Sequence, residues 1–189
     1  MLIGACAALL AAAFSSFAKQ CEDVQGQVLR LHILANSDSA EDQQLKYLLR
    51  DFLIEDMEKY FGEVEELDGA VQAAAENLPE IEKKVKMFIT AQGYEHEAEI
   101  SLEKMYFTTR VYENITMPAG NYNALRIKIG AGKGQNWWCV VFPPLCLPAC
   151  TEKSEPYFSA EASKLIESGG GKIEVKFAVY EWFAGLFKL

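Results

Sequence analysis

The chain has 189 residues, with 27 Asp and Glu against 18 Lys and Arg and a formal net charge of -9. Half of its residues are hydrophobic and 12% are aromatic, enough to bury a core, so wholesale disorder is excluded. Strong acidity without a basic cluster excludes general nucleic-acid binding, which needs grouped Lys and Arg to neutralise phosphates, and collagen-like, coiled-coil-only and polytopic membrane classes fail on composition.

The first 18 residues carry no charge, and Lys19 is the first charged side chain. Leu2 to Phe14 is apolar and Ala-rich, and Ser15-Ser16-Phe17-Ala18 supplies the small residues of a cleavage region, so residues 1–18 read as a secretory signal peptide. A positive n-region is missing, and a start site upstream of Met1 would account for it. The segment is at the short end of the roughly 17–25 residues that cross a bilayer, so an uncleaved membrane anchor is one alternative and a buried Ala-rich helix the other. In an oxidising compartment Cys21, Cys139, Cys146 and Cys150 are an even set with three pairings open. Cys139 and Cys146 flank a double proline able to turn the chain back and are the disulfide candidates; Cys146 with Cys150 is the competing pair. Neither His32 nor His96 lies near a cysteine in sequence, so no zinc site is expected.

Val28 to Leu34 reads as a strand buried on both faces, with His32 a hydrogen-bonded core histidine. Asp38, three residues before Glu41, forms a capping-box arrangement ahead of a helix. Leu45, Leu48, Leu49, Phe52, Leu53, Met57, Tyr60 and Phe61 fall at helical spacings as its apolar side. Asp42, Lys46, Arg50, Glu55 and Lys59 form a solvated face, and Gly62 ends the helix. Leu67, Val71, Ala74, Leu78, Ile81, Val85 and Phe88 mark a second helical stretch, one kinked helix or two abutting ones around Pro79, with Asn77 able to cap the second part.

Tyr94 to Glu103 alternates strictly as a half-buried strand, its glutamates on the wet side. A loop from Phe107 leads to the turn Met117-Pro118-Ala119-Gly120 and a strand over Tyr122–Ile129. Gly130-Ala131-Gly132-Lys133-Gly134 reads as a hairpin loop, because a strand and not a helix follows its lysine, unlike a P-loop. Trp137 to Phe142 is a buried strand. Beyond Cys150 come a linker-like stretch, a short helix near Ser159–Ser168, a strand over Lys172–Val179, and an aromatic tail that packs as a terminal helix or rests on a membrane or partner. The expected architecture is an α+β domain over residues 19–150, a mixed or antiparallel sheet of about five strands with two long helices on one face. Residues 151–189 form an extension packed on the same domain.

Catalytic constellations are missing: no nucleophile elbow, zinc-protease motif, EF-hand or dinucleotide fingerprint occurs, and two strand-borne histidines leave little for a general base. Two segments go further. Arg30-Leu31-His32-Ile33-Leu34-Ala35-Asn36-Ser37-Asp38-Ser39, with Asp42-Gln43 and Leu45-Lys46, resembles the N-terminal signature of the stage II sporulation protein R family. Pro118-Ala119-Gly120, Tyr122, Ala124-Leu125-Arg126 and the run from Gly134 through Asn136-Trp137-Trp138-Cys139 to Pro143-Pro144-Leu145-Cys146 resemble its second signature.

That resemblance implies a protein made in the forespore and exported into the space between the forespore and mother-cell membranes. There it activates a membrane-embedded aspartic protease that cleaves the precursor of the mother-cell sigma factor, pro-sigma-E. The protein would then be a ligand and not an enzyme, with no cofactor, metal, nucleic acid or small-molecule substrate. Partner contacts are expected at the accessible residues of the signatures: Asn36, Ser37, Asp38 and Asp42 at the helix start, and Arg126, Asn136, Trp137 and Trp138 around the glycine loop. Helix capping and core packing are the plainer roles for the same residues. The rival function is an exported cysteine-dependent hydrolase or thiol enzyme using Cys139 or Cys146 with His32 or His96, which requires a free low-pKa thiolate.

Overall fold

The computed structural model describes residues 2–61, 64–112, 115–143, 158–167 and 177–182, with side chains from residue 12 onward apart from 58 and 160. Helix α1 (Leu2–Gln25) leads to strand β1 (Leu29–Leu34) and the long helices α2 (Ala40–Phe61) and α3 (Leu67–Ala91). Strands β2 (Ala98–Phe107), β3 (Arg110–Tyr112), β4 (Ile115–Met117), β5 (Gly120–Ile129) and β6 (Asn136–Phe142) follow. Helix α4 (Ala160–Glu167) and a short helix over residues 177–182, α5, complete the described chain. Two units divide it: Val28–Met105 with Tyr122–Pro148, and Met1–Gln27 with Tyr106–Asn121 and Ala149–Leu189.

The first of these units is built on a four-stranded mixed sheet in the order β2-β5-β1-β6. β1 runs parallel to β5, with His32 beside Arg126, and antiparallel to β6, with His32 beside Trp138. Ion pairs join Glu103 to Arg126 and Glu99 to Lys128, so β2 and β5 run in opposite directions. Every second residue turns to one face: Leu29, Leu31 and Ile33 from β1, Leu125, Ile127 and Ile129 from β5, Cys139 and Val141 from β6. Onto that face pack Leu45, Leu49, Leu53, Met57 and Phe61 of α2 and Ala70, Ala74, Ile81, Val85 and Ile89 of α3. Each fully buried leucine or isoleucine there contributes about 1.5–3 kcal/mol. The expected α+β class, mixed sheet and helix pair on one face describe this unit, and β1 is buried on both faces because it lies inside the sheet.

The elements differ from expectation in several places. α3 is one helix through Pro79, and Asn77 does not start a new one; its Nδ2 donates to the Ala73 carbonyl at 2.8 Å. β2 begins four residues later than the alternating pattern; Tyr94 and His96 bond α2 through their side chains, and the Glu97 carbonyl accepts the Gly130 amide at 2.8 Å. The stretch read as a loop after Phe107 forms the two-stranded ladder β3–β4, with Val111 opposite Thr116. The strand expected over Lys172–Val179 is helical at residues 177–179; residues 172–176 lie outside the described residues, as do Gly62, Cys146 and Cys150. A helical turn lets Phe177 and Tyr180 share one face against α1, so packing overrides the local alternation.

In the other unit α1 is continuous past Ala18, and Cys21 and Val24 on it are fully buried. Burial pushes the Cys21 thiol up to about 12, with the neighbouring Glu22 carboxylate adding to the effect. No helix among the described residues is long and apolar enough to cross a membrane.

Candidate functional site: the junction of two sequence segments

The residues after β1 and the glycine loop before β6 are far apart in sequence but bonded to each other along their length. The Ala131 amide donates to Asn36 Oδ1 (2.9 Å), the Lys133 amide to the Asn36 carbonyl (3.1 Å), the Gly134 amide to the Ala35 carbonyl (3.0 Å), and the Gln135 amide to Asp38 Oδ1 (2.8 Å). Glycine is required where the two chains touch. A Cβ on Gly134 would run into the Ser37 carbonyl, and one on Gly130, which also has a positive φ, into the Asn36 side chain. The loop is therefore a docked strap whose amides serve the protein itself, which removes the phosphate-cradle reading of the same glycines.

Beneath the strap lies a buried polar cluster. Asp42 is 6% exposed; its Oδ2 accepts from Asn36 Nδ2 (2.7 Å) and Ser37 Oγ (2.5 Å), and its Oδ1 pairs with His96 Nε2 (2.8 Å). Burial pushes the Asp42 carboxyl up, but the bonds from Ser37, Asn36 and His96 outweigh it and hold the group below the usual carboxylate range. Lys46 is 1% exposed and donates to Gln43 Oε1 (2.6 Å) and to the Gln135 carbonyl (3.1 Å), while Gln43 Nε2 donates to the Ser37 carbonyl (2.8 Å). Burial draws the Lys46 ammonium below its usual range, with Asp38 opposing.

These contacts correct two expectations. The N-cap of α2 is Ser39, whose Oγ accepts the Asp42 amide at 3.2 Å, and not Asp38, which is taken by the glycine loop. Asp42 and Lys46 do not belong to a solvated face; both turn inward to the strap.

The surface beside the junction is aromatic and cationic. The Arg50 guanidinium lies 4.4 Å from the Trp137 ring centroid and 5.2 Å from that of Tyr47, and Tyr47 meets Trp137 edge-on at 5.7 Å. Tyr47 and Leu48 are among the exposed large hydrophobic residues. Trp137 is half-buried here, whereas its neighbour Trp138 points to the opposite sheet face, as strand alternation requires. There Trp138 stacks on His32 at 3.8 Å with the planes 4° apart, and His32 Nε2 bonds Asn136 Oδ1 at 3.0 Å. Arg126 stands in the same row and pairs with Glu103.

Of the residues singled out in sequence, Asn36, Ser37, Asp38 and Asp42 thus meet in one cluster, with Trp137 at its edge. Asn136, exposed at the start of β6, bonds His32 on the other face of the sheet, where Arg126 and Trp138 also lie. Gln43, Lys46, Arg50, Tyr47 and His96 also build the site. A helical wheel places Asp42, Lys46 and Arg50 on one stripe, but the wheel alone does not separate it from a solvated face.

Cys139 is disulfide-bonded, with its partner outside the described residues, and it faces the helix side of the sheet whereas the adjacent-strand His32 faces the other. His96 is engaged by Asp42. The geometry therefore supplies no Cys139 thiolate beside either histidine. No group of three or more metal-ligating side chains occurs among the described residues.

The described residues thus define an α+β protein whose most densely built site is a strapped, partly exposed polar junction. The profile of the stage II sporulation protein R family matches residues 25–152, which include both halves of that junction. Stage II sporulation protein R of Bacillus subtilis (strain 168) is 33% identical over 186 residues, covering 87% of this chain and 83% of that protein. No solved structure matches. The chain belongs to the stage II sporulation protein R family.

Proposed function

We propose that the protein is an exported signal of sporulation that binds the extracytoplasmic face of a membrane-embedded aspartic protease and so triggers processing of pro-sigma-E. In this reading it is a ligand without cofactor or metal, delivered across the forespore membrane by residues 1–18, and Cys139 pairs with Cys146 in the oxidising space outside. The observation that carries it is the fusion of the two signatures into one surface, by four hydrogen bonds from backbone amides and a buried Asp42–Lys46 layer. Such a strap keeps a shape rigid, which lowers the ordering cost of binding. Asp38 and Trp137 are the contact residues, joined by Tyr47 and Arg50, whereas Asn136 bonds His32 on the opposite sheet face. Asn36, Ser37 and Asp42 hold the junction, and Arg126 and Trp138 belong to the opposite face of the sheet.

Co-expression of this chain with the protease and its sigma precursor in a non-sporulating host tests the reading: cleavage should require the chain. Trp137→Ala and Asp38→Ala should each lower cleavage while circular dichroism stays unchanged. Cleavage that proceeds without the chain rejects activation, and loss of cleavage only where folding is also lost rejects the contact surface.

A further inference from the structure

The junction makes no use of α1 or of the aromatic end of the chain, yet these two features are packed together. In the unit that contains them, Phe14, Phe17, Cys21 and Val24 follow one helical stripe. The Phe17 ring lies 5.4 Å from that of Phe177, which is fully buried, and 6.0 Å edge-on from Tyr180. Phe14 lies 6.2 Å from Tyr180. The seat that receives Phe14 and Phe17 is anchored without them. Glu181 Oε2 accepts the Thr109 amide (3.3 Å), Gln25 Nε2 donates to the Ala119 carbonyl (3.2 Å), and Gln27 Oε1 accepts the Ser159 amide (3.0 Å). A break after Ala18 therefore strips both phenylalanines from the seat and leaves each of those anchors in place.

We propose that removal of residues 1–18 on export vacates an aromatic seat on Phe177 and Tyr180, and that its next occupant is an apolar helix end of the membrane-bound partner. The proposal rests on the signalling reading above for the identity of that partner. The structure itself displays the chemistry that fits: a helix with no charge over residues 1–18, presenting two aromatic rings three residues apart in tilted and edge-on contacts. A lipid tail offers no such ring register, and a processed second copy no longer carries the segment. Export would then expose a partner-binding surface only after the membrane has been crossed.

The test uses the full chain, exported from a Gram-positive host, with its N-terminus read by mass spectrometry. A fluorescent peptide of residues 10–18 with a lysine tail is the probe. Expected results are an N-terminus at Lys19 and saturable binding of the peptide to the processed chain but not to the unprocessed chain. Tyr180→Ala should weaken binding about tenfold, and replacing both phenylalanines of the peptide should abolish it. In the co-expression system, a periplasmic or surface-displayed copy of the peptide should inhibit precursor cleavage. A leader retained through Phe14, or a processed chain that does not bind the peptide, overturns the seat. Flotation of the processed chain with phosphatidylcholine vesicles, lost in Tyr180→Ala, gives the seat to lipid and overturns the helix as occupant. Peptide binding without inhibition of an otherwise active system overturns the partner. Peptide binding in a system where the chain never triggers cleavage overturns the signalling reading and leaves the seat standing.

Discussion

At the scale of single residues, Gly134 and Asp42 carry the junction by different means. Gly134 stands where an added Cβ would strike the Ser37 carbonyl, main chain that cannot swing away. Gly134→Ala must push the strap off Ala35 and Gln135 with it, and should cost about 1–3 kcal/mol by overpacking, read as a lower urea midpoint. A neutral Gly134→Ala would mean the strap is not docked as described. Asp42 makes a prediction about pH. Its carboxyl is held below the usual range in the folded chain, so it contributes stability that is present above the unfolded pKa of about 4 and is lost as pH falls through the folded value. Urea midpoints should therefore drop between about pH 5 and pH 3. Asp42→Asn should be less stable at pH 7 by about 1–3 kcal/mol, because His96 loses a charged partner, and its drop should be shallower. Asp56, also held down by Lys59 and Lys84 against the effect of burial, keeps the drop from vanishing. An identical acid profile in the variant would remove Asp42 from the account.

At the scale of elements, α3 contains a conflict between propensity and packing. Pro79 sits inside the helix on its exposed side, has no N–H for the Ala75 carbonyl, and is preceded by Asn77, whose side chain adds a bond to Ala73. Pro79→Ala should restore the missing bond and raise stability by about 1–3 kcal/mol, with slower amide exchange across the middle of α3. A destabilised variant would show instead that the proline helps to lay Ala74 and Ile81 on the sheet together. Elements of this kind were legible from sequence because a period of 3.6 or 2 survives wherever one face meets a core, as in α2, α3 and β5. The β3–β4 ladder and α5 were not legible, since three-residue strands and a single aromatic turn owe their form to contacts distant in sequence. The junction was half legible. Asn36 to Asp38 and the glycine loop stood out as unusual segments, but only their mutual bonding shows that Asp42 and Lys46 point inward. Side-chain charge alone had assigned both to water.

Across the whole molecule, the -9 net charge and the signature surface are separate features. Glu66 at the N-cap of α3, Glu76 on α3 and Glu99 on β2 are exposed acids, where single charges contribute little to stability. The junction instead gathers Lys46 and Arg50 around Tyr47 and Trp137, in a protein that otherwise favours acid. If the acidic faces serve only solubility, Glu66→Gln combined with Glu76→Gln should change the unfolding free energy by no more than about 0.5 kcal/mol and leave precursor cleavage as it was. Tyr47→Ala removes an exposed ring that packs on Arg50 and Trp137, so it should be nearly as stable as the parent yet lower cleavage several-fold. The reverse pattern, cleavage lost on neutralising the acids and kept without Tyr47, would place the contact surface on the acidic face, where a basic partner loop would have to meet it. The two pairs of variants, measured in one co-expression assay with denaturation curves alongside, separate a surface that recognises from one that only keeps the protein dissolved.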